Sequence, residues 1–200
     1  MKTYLYIFFL LCLNTTVFAG VIDGMGSYVA NGGGYALQTN DANGFASSAT
    51  AEKIQSQFNI TLHSSAIQGA AIWGEFDVVS GQTFSFDWDW SASFVGDARF
   101  NDFAFVSLKL NDNKILDEFF VDTFTPVTPV GTTETYSWIA TSTGTLEFGI
   151  GIMGASTIFN FEAANSALNV SNIKAEVPLP GAIWLFTLGL VGLFGIKKRA

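Results

Sequence analysis

The residues best equipped for chemistry are acids gathered along one short stretch. Asp87 and Asp89 stand at i,i+2, with Asp97 and Asp102 close behind. In extended backbone that spacing puts Asp87 and Asp89 on one face, about 7 Å apart. Oxygen ligands from loops and strand ends suit a hard divalent cation, so these four are the candidate calcium ligands, and calcium is the one cofactor the sequence brings into view. Asp87 and Asp102 are also the acids a glycan-active hydrolase would use, which requires two carboxyls flanking one bond and one of them desolvated.

Other chemistries lack their parts. The single histidine, His63, sits in Thr61-Leu62-His63-Ser64-Ser65 with no partnering motif, and the single cysteine is Cys12, close to the N-terminus. Nucleophilic catalysis and a zinc site both need more than that, so no catalytic residue is assigned. An EF-hand register starting at Asn111 fails, because its sixth position is Leu116 and its ninth is Phe119. Among the aromatics, Trp88 and Trp90 share a face with Phe84 and Phe86 and read as core, whereas Trp73 lies beside Glu75 and Asp77 and is the candidate sugar contact.

The elements that must position these residues are strands. Phe84, Phe86, Trp88 and Trp90 alternate with Ser85, Asp87, Asp89 and Ser91, a period of two that marks a half-buried strand. Similar runs cover Ile54 to Leu62, Ile72 to Val78, Phe103 to Leu110, Ile115 to Val121, Thr135 to Thr141, Leu146 to Ile152 and Ala167 to Lys174. Glycine and polar turns separate them, as at Ser80-Gly81-Gln82. The pattern predicts an all-β, antiparallel sandwich of jelly-roll type, with at most a turn of helix at Ala163 to Leu168.

Both ends of the chain read differently. Residues 1–19 carry one early charge, Lys2, an apolar run from Tyr4 to Leu13, and a small-x-small-like site at Val17-Phe18-Ala19. That is the layout of a secretory signal peptide, with cleavage after Ala19 leaving Gly20 as the mature N-terminus. At the other end, Leu179 to Ile196 is uncharged, and 18 helical residues would span about 27 Å, close to a thin hydrocarbon core. Lys197, Lys198 and Arg199 follow as a basic stop on the cytoplasmic side. The expected organisation is a signal peptide at 1–19, a sandwich at 20–175, and a terminal block at 176–200 holding a transmembrane helix at about 181–196. Without residues 1–19 and 177–200, five basic residues face 17 acidic ones, a net charge of −12 that repels nucleic acid.

The terminal block resembles the PEP-CTERM sorting signal of Gram-negative bacteria. The matching residues are Val177-Pro178-Leu179-Pro180, Trp184-Leu185-Phe186, Gly189-Leu190-Val191-Gly192-Leu193 and Lys197-Lys198-Arg199, with Leu179 standing where that motif carries its glutamate. The resemblance implies export by the secretion machinery and signal peptidase, transient residence in the inner membrane, and processing by an exosortase. It further implies release to the cell surface or extracellular matrix; an uncut tail would leave a membrane-anchored surface protein. Within the soluble part, the runs at 81–88, 101–106, 141–151 and 166–173 are similar to the strands of carbohydrate-binding-module-like jelly rolls. Together the two resemblances imply a non-enzymatic structural or adhesive protein of exopolysaccharide or biofilm material, with extracellular polysaccharide as a partner. The rival expectation is the secreted hydrolase built on Asp87 and Asp102.

Overall fold

The computed structural model describes residues 22–26, 28–31, 33–39, 49–62, 66–92, 102–122, 131–154 and 166–176. The signal segment at 1–19, Gly20, the sorting block at 177–200, His63 and Asp97 lie outside the described residues. Among the described residues no helix is long and apolar enough to cross a membrane.

Eleven strands and one helix are described: β1 (Asp23–Gly26), β2 (Tyr28–Asn31), β3 (Gly34–Gln38), β4 (Ala49–Thr50), α1 (Ala51–Phe58), β5 (Gln68–Val78), β6 (Thr83–Ser91), β7 (Phe103–Leu110), β8 (Asn113–Asp122), β9 (Thr133–Ile139), β10 (Gly144–Gly154) and β11 (Ala167–Glu176). They form two antiparallel sheets, one ordered β1-β5-β10-β7-β8 with β4 also pairing β5, the other ordered β2-β3-β11-β6-β9. The inner faces meet in one core. Phe84, Phe86, Trp88 and Trp90 of β6 pack with Phe76 of β5 and with Leu146, Phe148, Ile150 and Ile152 of β10. Phe84 lies 5.8 Å from Phe76 and 5.3 Å from Phe148 between ring centroids, so the sheets are joined by aromatic contacts worth about 0.5–1.5 kcal/mol each beyond their buried area. The chain is a β-sandwich.

The β7–β8 hairpin shows local sequence acting directly. Asn111 and Asp112 have φ values of 52° and 63°, the left-handed pair that a two-residue type I′ turn demands, and Asn and Asp tolerate it. Asn111 also accepts from the Thr145 amide at 3.1 Å, tying the hairpin to the start of β10.

One expectation fails: Ile54 to Leu62 is not a strand. Residues 51–58 form α1, capped by Thr50, whose hydroxyl accepts from the Lys53 amide, and ended by Asn59 in the left-handed conformation. Ile54 and Phe58, at i,i+4, are its buried pair. The alternation that suggested a strand is real only beyond the helix, where Ile60 and Leu62 are buried and Asn59 and Thr61 are exposed, in chain outside either sheet. The helix lies over the outer face of the β5–β10–β7 sheet and closes a second core with Phe103, Phe105, Ala71 and Met153. This cover explains why β7 is buried on both faces along most of its length.

Candidate functional site

The outer face that α1 partly covers is laid out in cross-strand rows, because residues directly opposite in an antiparallel pair share a face. Glu75 lies opposite Glu147, Glu147 opposite Lys109, and Lys109 opposite Lys114, a charged row crossing four strands. In the next row Trp73 lies opposite Gly149, and Gly149 opposite Ser107. Glycine at 149 is required by close approach, since a Cβ there would run into the Phe58 ring; Gly151 stands in the same relation to Phe105. The helix therefore settles onto the sheet at the glycine rows and stops short of the charged row.

At that boundary lies a cleft of about 240 Å³. Phe58 and Gln57 of α1 line one side, Trp73 and Glu75 of β5 another, and Ser107, Lys109, Glu147 and Gly149 the sheet beneath. Trp73 is half-buried and meets Phe58 edge-on, with ring centroids 6.0 Å apart. Lys109 Nζ donates to Glu147 Oε2 at 3.3 Å. Lys114 pairs with Asp117 and donates to the Asn59 carbonyl, which brings a cation to the C-terminal end of a helix that has no basic residue in its own last turn. The carboxylate of Glu75 has no hydrogen-bond or ion-pair partner among the described residues.

The acids singled out from sequence lie elsewhere. Asp87 and Asp89 occupy the outer face of the other sheet, opposite the core-facing Phe86, Trp88 and Trp90. Asp87 accepts from Thr135 Oγ1 at 2.6 Å and from Asn172 Nδ2 at 2.7 Å; Asp89 accepts from Asn169 Nδ2 at 3.0 Å. The Thr135 hydroxyl first, and then the Asn172 amide, hold the Asp87 carboxyl below the usual carboxylate range, with the Lys174 charge adding to them against a small opposing effect of burial. A bulge in β11 between Ser171 and Lys174 contains Asn172, at a φ of 52°, whose amide reaches Asp87. Asp102 is buried just before β7, in the other sheet, beside Gly154 and Thr39. The structure thus brings Asp87 and Asp89 together, and places Asp102 apart from them. Among the described residues no group of three or more His, Cys, Asp or Glu side chains is close enough to hold a metal ion.

Of the tryptophans, Trp88 and Trp90 are core, Trp138 packs half-buried against the same core, and Trp73 borders the cleft. Sequence reasoning missed Glu147, Lys109, Ser107 and Gln57. Glu147 and Lys109 are each the one charged residue of their strand, which was a usable signal, but their meeting depends on pairing across 38 residues.

No family model matches the chain, and no curated protein does. Among solved structures it is similar to the enzymatically active domain of tailspike protein 4 of bacteriophage CBA120, at 13% identity and a TM-score of 0.33, over 79% of this chain and 19% of that one. It is also similar to a carbohydrate-binding module of the β-sandwich superfamily, at 10% identity and a TM-score of 0.34, over 84% and 58%. A family 35 carbohydrate-binding module from an environmental isolate matches at 15% identity and a TM-score of 0.30, over 83% and 96%. The chain spans about a fifth of the tailspike domain and 58% of the first module. The β-sandwich itself rests on the strand pairing described above.

Proposed function

We propose that the chain is an exported, non-catalytic jelly-roll protein that holds glycan in the cleft beside Trp73. Its place would be the cell surface or the extracellular polysaccharide matrix. The cleft carries this reading: a half-exposed indole beside hydrogen-bonding groups of both kinds, two carboxylates, an ammonium, a hydroxyl and an amide. A sugar ring presents an apolar face and a rim of hydroxyls, and needs both. The jelly-roll assignment is supported by strand order, since β3-β11-β6-β9 facing β5-β10-β7-β8 is the arrangement two interlocked Greek keys produce. Delivery to the surface by an exosortase rests on the sequence of residues 177–200.

The non-catalytic part of the reading is supported by where the carboxyls lie. Asp87 and Asp102 belong to different sheets and do not flank a common bond. Glu75 and Glu147 do face each other, but Glu75 is exposed and Glu147 is tied to Lys109, unlike the desolvated acid that glycoside hydrolysis needs.

Affinity electrophoresis through gels containing soluble polysaccharides tests the binding. Retardation by at least one polysaccharide, lost in Trp73→Ala, is the expected result; unretarded migration in all of them would sink it. Release of reducing sugar, abolished by Glu75→Gln or Glu147→Gln, would replace the binding reading with a hydrolase. Mass spectrometry of the extracellular protein tests the sorting, because an intact Lys197-Lys198-Arg199 end contradicts cleavage.

A further inference from the structure

The charges around the cleft say more than its shape. Trp73 is bordered by carboxylates: Glu75 two residues along the same face of β5, Glu147 directly opposite Glu75, and Asp23 of β1 directly opposite Trp73 itself. Lys109 is the one cation among the cleft-lining residues, and Glu147 holds it at 3.3 Å. Lys114, next in the row, is taken up by Asp117 and the Asn59 carbonyl. Glu75 is left exposed, unpaired among the described residues, and facing a second carboxylate. Like charges directly opposite in a sheet repel, so a cation bound beside Glu75 would be favoured there.

Resting on the glycan reading above, we propose that the cleft selects an amino sugar, a pyranose bearing a free protonated amine. The ring lies against Trp73, and the ammonium fills the place beside Glu75 that no cation of the described residues occupies. A uronate there would face two carboxylates and would have to take Lys109 from Glu147. A neutral or N-acetylated sugar would leave Glu75 without a counter-charge. An ammonium gains from the carboxylate and, near the indole face, from the aromatic quadrupole as well. The formal charge of −8 on the whole chain draws the same class of polymer from a distance.

Isothermal titration of the full-length chain at low salt with a β-1,4-linked glucosamine tetramer, its fully N-acetylated counterpart and cellotetraose tests the proposal. The amine form should bind about ten-fold more tightly than the other two, the size expected of one charge-assisted contact. That preference should vanish in Glu75→Gln and narrow as salt is raised. Asp77→Asn, which removes the same charge from the same strand outside the cleft lining, should keep it. Equal affinity for all three tetramers, lost in Trp73→Ala, would overturn amino-sugar selection while leaving glycan binding in place. Absence of binding to all three, and to every polysaccharide in the gels, would overturn the glycan reading itself. Spermidine bound as tightly as the glucosamine tetramer would overturn sugar recognition in favour of bare cation capture.

Discussion

The two outer faces of the sandwich have opposite constructions. On the β11–β6–β9 sheet, Thr133, Thr135, Ser137, Asp87, Asp89, Asn169 and Asn172 are short polar groups, and both aspartates are satisfied by their neighbours. On the β5–β10–β7 sheet, the outer face is apolar at one end and charged at the other, and it needs a helix to finish it. A face whose polar groups satisfy one another has little left to offer a ligand. The other face stays unfinished where α1 stops, and there the cleft and the unpaired Glu75 are found.

The sharpest way to break this comparison is to remove the helix's hold. Phe58→Ala deletes the ring that sits over Gly149 and touches Trp73 and Phe105, and should cost about 3–5 kcal/mol in urea unfolding. Thr135→Ala on the other face should cost less than about 1 kcal/mol by the same measurement. Comparable losses in the two variants would mean that α1 is an ornament rather than part of the core. Adding bulk tests the same contact from beneath. Gly149→Ala puts a methyl into the Phe58 ring and should destabilise by about 1–3 kcal/mol, with near-ultraviolet dichroism from Trp73 changing as the ring moves. A variant as stable as the parent would show that the helix can lift without loss.

A smaller effect is expected at the end of the helix. Lys114→Met removes the cation from the α1 C-terminus together with the Asp117 ion pair, and should cost about 0.3–1 kcal/mol in low salt and less in high salt. A loss that does not depend on salt would place the role of Lys114 in its packing instead of its charge.

The two faces were also unequally legible in the sequence. The β6 face was readable because it is local: alternation of aromatic and polar residues from Phe84 to Ser91 marks the core face within eight residues. The same alternation identified Trp88 and Trp90 as buried. The helix face was not readable, because eight residues hold just two turns, and Ile54 and Phe58 are a single i,i+4 pair. Phe58, Ile60 and Leu62 continue at spacing two, which matches a strand as well as it matches a helix followed by extended chain. β7 held the missing clue. Phe103, Phe105, Ala104 and Val106 leave neither face polar, so something had to cover the outside of that sheet. The cleft was legible only in Trp73, since Glu147 and Lys109 reach it through register between distant strands, which local spacing does not encode.

The finest test of the comparison is electrostatic, and it concerns the satisfied face. Asp87 has its carboxyl held below the ordinary value of 3.8 by the hydrogen bonds from Thr135 and Asn172. A group whose pKa is lower in the folded state stabilises the fold above its unfolded pKa, and that stabilisation is lost as pH falls through the folded value. Asp87→Asn should therefore be slightly less stable than the parent at pH 7, by less than about 1 kcal/mol because the site is open to solvent. The difference should persist down to about pH 4 and close below it, as the parent's carboxylate takes up its proton. If Asp87→Asn stays below the parent by the same margin at every pH of chemical unfolding, the hydrogen bonds from Thr135 and Asn172 do not act through the charge of Asp87, and the satisfied face is not held that way.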